Sequence, residues 1–232
     1  VKEQVYLPDW RHPQRAAYTI RLADLLAGWL PEGMTGSIST VPIGLKGTFS
    51  DQDLTAVRQQ LVAVLSHLQA LRRDRGAPIV LALEPEPGCL LETTDEVCDF
   101  LAALALPPDL RDLIGVCYDC CHQAVEFETP AASLARLADA GIRVAKVQVS
   151  SALRLLAPTP AALKPFAEPC YLHQVVVRSR NGDLSRYQDL PEAVARHPLA
   201  AGDEWRCHFH VPIFVAAAGE HGTTRSFIEE IL

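Results

Sequence analysis

Residues 79–88 read Ile-Val-Leu-Ala-Leu-Glu-Pro-Glu-Pro-Gly. Five unbroken apolar residues closed by a Pro-rich turn are what a strand buried on both faces of a parallel sheet requires. Just upstream, Leu54, Val57, Leu61, Leu65, Leu68 and Leu71 recur at three- and four-residue spacing and predict a long helix. Ser50 is its candidate N-cap, Arg72, Arg73 and Arg75 crowd the end that attracts cations, and Gly76 stops it. Ser37–Ile43 reads as the preceding strand.

The rhythm continues downstream. Thr93 and Glu96 stand at capping-box spacing. Ile114–Tyr118 reads as a strand, Thr129-Pro130 opens a helix that stops near Gly141, and Val144–Val149 reads as the following strand. Alternating strands and helices with short connections predict right-handed βαβ units. After Ser150 the pattern breaks. Pro158, Pro160, Pro165 and Pro169 mark an irregular insertion, and Leu172–Arg178 with Leu184–Tyr187 predicts a β-hairpin around Asn181-Gly182. A strand over Arg206–Phe214 and a short helix over Thr224–Leu232 close the chain.

Composition sets the outer bounds. The 232 residues are 49% apolar and 21% charged, which suits one soluble domain with a sizeable core and speaks against disorder. A formal net charge of −7 is not the basic footprint of a nucleic-acid binder, so no nucleic-acid partner is expected. No apolar run spans a bilayer, Val211–Ala218 being far too short. The polar start Val1-Lys2-Glu3-Gln4 shows no secretory signal. Seven cysteines, an odd number in a core-rich chain, suit a reducing compartment, and the cytoplasm is the expected location.

Chemistry-bearing residues gather at the carboxyl ends of the predicted strands, the edge where parallel α/β folds build their sites. Glu84 ends one strand, Asp119 the next, and Gln148 the third. Strand alternation places Lys146 and Gln148 on one face, and His208 with His210 on one face of theirs. Carboxylates and imidazoles around a common space suit a divalent metal, which would polarise a carbonyl or hydroxyl. Singly, each residue has a plainer reading. Glu84 and Asp119-x-x-His122 also fit helix capping and ion pairing. Cys117-x-x-Cys120 lacks a second Cys/His pair for zinc, which leaves Cys117 as a small core residue. His173 and His197 read as surface or structural residues, and Arg178, Arg180 and Arg186 as a solvated hairpin face.

The ordered set Ser-Ile-Ser-Thr-Val-Pro-Ile-Gly (37–44), Leu-Glu-Pro-Glu-Pro-Gly (83–88), Asp-Cys-Cys-His (119–122), Lys-Val-Gln-Val-Ser (146–150) and His-Phe-His-Val-Pro (208–212) resembles the EboE family. Those are metabolite traffic proteins of the xylose isomerase-like TIM-barrel superfamily. Val5-Tyr6-Leu7-Pro8-Asp9-Trp10 also resembles a segment of that family. The resemblance implies a (β/α)8 barrel, incomplete at both ends here, in a single domain over 1–232 with a hairpin insertion at about 151–200. It implies a divalent ion (Mn, Zn, Co or Mg) held by Glu84 and Asp119, with Gln148 where relatives carry a histidine and His208 or His210 compensating. Glu84, His122 and Lys146 become the catalytic candidates, and Glu86, His122 and Lys146 the substrate-binding ones. The expected function is a metal-dependent isomerase or epimerase acting on a sugar or polyol-like metabolite. A non-catalytic metabolite-binding protein is the alternative, favoured by Gln148. An abasic-site endonuclease is disfavoured by the acidic charge and the lack of clustered His/Glu/Asp triplets.

Overall fold

The computed structural model describes residues 2–156, 158–219 and 221–232. Its first half follows the predicted alternation. Strands β1 (Gly36–Thr40), β2 (Ile79–Leu83), β3 (Ile114–Asp119) and β4 (Val144–Gln148) form a parallel sheet in chain order. Helices α1 (Pro13–Trp29), α2 (Asp51–Arg75), α3 (Thr94–Ala103), α4 (Pro108–Arg111), α5 (Cys120–Val125) and α6 (Pro130–Asp139) connect or flank them. Capping fixes the helix starts as predicted. Ser50 with Asp53 and Thr93 with Glu96 form reciprocal capping boxes, each of which satisfies backbone donors that the first helical turn leaves unpaired. Helix α1 carries no strong end signal in the sequence: it opens at Pro13 without a side-chain cap.

Register assigns the two faces of this sheet. Ile38, Leu81, Leu83, Ile114, Val116 and Tyr118 point outward and join the main core with Leu61, Leu65 and Leu68 of α2. The opposite, concave face carries Ser39, Ala82, Gly115 and Cys117, and ends in Glu84, Asp119 and Gln148. Gly115 is required by close approach, since a Cβ there would stand 2.5 Å from the Arg143 carbonyl oxygen. Cys117 is fully buried, in keeping with its reading as a core residue.

The expected eight-stranded barrel is not formed. The parallel sheet stops at four strands, a half-barrel, and the chain then builds a separate antiparallel sheet ordered β7-β6-β8-β5-β10-β9. Its strands are β5 (Ser151–Leu156), β6 (Val175–Arg178), β7 (Leu184–Tyr187), β8 (Glu204–Val211), β9 (Ala217–Ala218) and β10 (His221–Thr223). The reason lies in the side-chain period. Parallel barrel strands are near-continuously apolar, whereas Trp205-Arg206-Cys207-His208-Phe209-His210 alternates strictly, as a two-faced antiparallel strand does. Residues 151–156 were expected to begin an irregular insertion, but they pair with β8. The predicted hairpin does form, β6 against β7 around Gly182 at φ +93°.

One face of the second sheet is apolar. Leu153, Leu155, Val175, Val177, Trp205 and Cys207 pack on Leu163 of α7 (Pro160–Leu163) and on Leu190 and Ala193 of α8 (Leu190–Arg196). The other face meets α5, where Cys121 and Val125 contact Ala152 and Val176. Arg206 donates to the Ala124 carbonyl at 2.6 Å, and Arg186 pairs with Glu126 at 2.7 Å. Helix α9 (Arg225–Ile231) returns to the main core through Phe227 and Ile228. Together these contacts hang His208 and His210 over the carboxyl ends of β2 and β3. Among the described residues, no helix is long and apolar enough to cross a membrane.

Candidate metal centre

Asp119 caps α5. Its Oδ1 accepts from the backbone N–H groups of Cys121 at 2.8 Å and His122 at 3.2 Å, and from Ser150 Oγ at 2.5 Å. No hydrogen bond among the described residues engages Oδ2. The cap sets the first turn of α5, which fixes His122, and the buried His122 ring is oriented by its Nδ1–H donating to the Pro85 carbonyl at 2.9 Å.

From the other sheet, His208 is oriented in the same way. Its Nδ1 lies 2.8 Å from Gln174 Oε1, an acceptor. The Gln174 amide nitrogen donates to Tyr6 Oη at 2.8 Å, and the Tyr6 hydroxyl donates to Glu86 Oε1 at 2.5 Å. Both imidazoles therefore carry their neutral-state proton on Nδ1 and present Nε2 as a lone pair.

Those lone pairs converge. His122 Nε2 is 3.1 Å from His208 Nε2, which is 3.1 Å from His210 Nε2. Two facing lone pairs at hydrogen-bond distance repel unless a proton or a cation lies between them. Nitrogens each about 2.05 Å from a tetrahedral ion stand ~3.3 Å apart, close to the spacing observed. Asp119, His122 and His210 offer ligand atoms within 4.8 Å of one another, as do Cys121, His208 and His210. Imidazole and carboxylate donors of this kind fit a divalent ion such as zinc or cobalt.

Electrostatics distinguishes the three rings. Burial opposes charge on His122, yet the carboxylates of Asp119, Glu86 and Glu84 outweigh it and raise its proton affinity. Burial, then the charges of His122 and His210, push His208 well below the ordinary imidazole range. His210 is also lowered, by burial first, against the pull of Asp119 and with the push of His122. The Cys121 thiol is driven well up by burial first and then by the neighbouring Asp119 carboxylate.

The remaining sequence candidates lie around this cluster. Glu84 Oε1 is 4.0 Å from His122 Nδ1, and its two oxygens accept from Gln148 Nε2 and Ser39 Oγ. Gln148 is thereby engaged by Glu84. Glu86 stands 3.8 Å from His208 Nδ1. Lys146 is exposed on β4, two register pairs before Gln148 and on the same concave face.

Several contributors were not legible in the sequence. Gln174 and Ser39 carry no motif, and Tyr6 lies in a short 3-10 turn (Lys2–Tyr6) more than 160 residues from Gln174. His173 is buried and bonds to the His208 carbonyl, so it is structural and not a surface residue. His197 pairs with Asp203 at 3.1 Å. Arg186 is exposed on the hairpin as expected, but its guanidinium also bridges Glu92 and Glu126.

No family model and no curated protein matches the chain. Among solved structures, the 1.8 Å crystal structure of IolI protein with a binding zinc atom is similar at 17% identity and a TM-score of 0.33. The match covers 51% of this chain and 38% of that one. The chain therefore spans well under two thirds of that protein's length, and at this level of likeness neither fold nor chemistry carries over.

Proposed function

We propose that the chain is a metal-dependent enzyme of the isomerase or epimerase class. Its substrate would be a small metabolite bearing a hydroxyl next to a carbonyl, as sugars and polyol-derived ketones do. The single observation that carries this reading is the convergence of the His122, His208 and His210 Nε2 atoms, two of them fixed as lone pairs by acceptors behind the rings. His122, His208, His210 and Asp119 would hold the ion. A bound divalent ion supplies Lewis acidity that polarises a carbonyl or hydroxyl oxygen.

The other residues have assignable work. Glu84 stands at the strand end beside His122, and its carboxylate is the proton acceptor for a carbon acid next to the substrate carbonyl. Ser39 and Gln148 hold that carboxylate in place from either side. Lys146 shares the concave face and orients the substrate oxygens. Gln174, Tyr6 and Glu86 keep the His208 ring in its ligating tautomer.

A non-catalytic metabolite-binding role is the second reading. Both Glu84 oxygens are already engaged, which favours a held carboxylate over a free base, and the EboE-like motifs point to metabolite handling. The experiment is zinc and cobalt binding by calorimetry and elemental analysis on the wild type and on a His208→Ala/His210→Ala variant. Stoichiometric metal in the wild type that is lost in the variant supports the reading, and failure of the wild type to take up either ion removes it. Glu84→Gln then separates the two roles, because it abolishes solvent hydrogen exchange into a turned-over substrate while leaving metal uptake intact if Glu84 is the base.

A further inference from the structure

A cavity of about 410 Å³ opens against the histidine cluster, and His208 and His210 form part of its wall. That volume lies in the range of small-molecule sites. Tyr6, Glu86 and His173 join the two histidines on its polar side. Val5, Tyr171, Leu172 and Phe209 supply most of the remaining wall, with Val5 49% and Tyr171 59% exposed at the rim.

The polar groups in the wall are few and largely committed. The Tyr6 hydroxyl is shared between Glu86 and Gln174. His208 Nδ1 is used by Gln174, and His173 Nδ1 by the His208 carbonyl. What stays open is Glu86 Oε2, which has no hydrogen-bond partner among the described residues, His173 Nε2, which is buried without one, and the imidazole Nε2 atoms of the cluster. These lie on the inner side of the cavity, beside the centre.

We infer that the ligand of this cavity is a small molecule that carries its hydroxyl and carbonyl together at one end of an aromatic or branched-alkyl body, and that free polyols are excluded. The polar end meets Glu86 and the histidine cluster, and the apolar body lies against Val5, Tyr171, Leu172 and Phe209. Beyond that end, a polyol would bury hydroxyls against Val5, Leu172 and Phe209, which offer no partner, and each one left unpaired costs its full desolvation. The inference deepens the proposed function by naming a substrate class, and it rests on that reading for what the polar end does at the centre.

The test compares cinnamyl alcohol with myo-inositol and D-xylose as calorimetric and ligand-observed NMR probes of the full chain, metal-free and zinc-loaded. Cinnamyl alcohol is expected to bind at least tenfold more tightly than either polyol in both forms. Val5→Asp, which places a charge on the apolar wall, should weaken cinnamyl alcohol at least tenfold. Tyr171→Ala, at an exposed position that does not threaten folding, should weaken it several-fold. A polyol binding as tightly as cinnamyl alcohol, or both variants leaving its affinity unchanged, overturns the inference. Zinc uptake is measured on the same samples. Selective cinnamyl alcohol binding without zinc uptake upholds this inference and ends the metal reading, whereas zinc uptake without selectivity ends this inference alone.

Discussion

Glu126→Gln should remove a measurable share of the protein's pH dependence. Glu126 follows α5, and its side chain is fully buried under the second sheet. Its Oε2 is held by Arg186, but Oε1 has no partner among the described residues. Glu92, itself buried, stands 3.2 Å from the same guanidinium. Burial raises the Glu126 carboxyl, Arg186 opposes that rise, and Glu92 adds to it, so the group titrates at about 7. In the unfolded chain it titrates near 4.3. The folded state therefore binds the proton more tightly. The stabilisation is fully present below the unfolded value and is lost as pH rises through about 7. At about 1.4 kcal/mol per tenfold in proton affinity, the wild type gives up roughly 4 kcal/mol across the whole window, most of it between about pH 5 and pH 8. The glutamine variant carries a neutral side chain of the same size and gives up none of it. Urea unfolding of both proteins at pH 5 and pH 8 reads the effect as the variant-minus-wild-type difference, which cancels every other titrating group. That difference should move in favour of the variant by roughly 3 kcal/mol between the two pH values. A difference that stays flat with pH would refute the assignment of a buried, proton-retaining carboxyl to this position.

Gln174→Leu removes the acceptor that fixes the His208 tautomer and should weaken zinc binding by about 10- to 100-fold, read by competition with a chromophoric chelator. Leu81→Ala, in the fully buried centre of β2, should cost about 2–5 kcal/mol in urea unfolding while zinc stoichiometry stays unchanged. Thr93→Ala deletes the side-chain cap of α3 and should cost about 1 kcal/mol in the same assay, with probe binding unaffected. Ser39→Ala frees one oxygen of Glu84 and should leave zinc affinity unaltered, measured by calorimetry, because Ser39 touches no histidine of the centre.

Local physics made the first half of the chain readable. The run Ile79–Leu83 is a strand because it is continuously apolar, and α2 is a helix because its leucines recur on one side between a capping box and a glycine at φ +62°. Those signals act over a few residues, so the sequence determines them alone. The same local logic placed Glu84, Asp119 and Gln148 at strand ends and put His208 and His210 on one face. It also held a correct warning about the second half, where Arg206, His208 and His210 alternate with Trp205, Cys207 and Phe209. That alternation marks an antiparallel strand with one polar face, where the resemblance implied a further parallel strand of an incomplete barrel.

What only tertiary structure decided was which polar residues meet. His122 and His208 are 86 residues apart in the chain and 3.1 Å apart at Nε2. Their meeting depends on the second sheet docking on α5 through Arg206, Arg186 and a few small apolar contacts. Gln148 could ligate by its chemistry, but the concave face brings it to Glu84 first. Tyr6 and Gln174 have no local signature, and they matter only because folding stacks them behind one imidazole. Periodicity and capping are properties of neighbours in sequence, whereas ligand geometry is a property of neighbours in space, set here by how two sheets pack on one short helix.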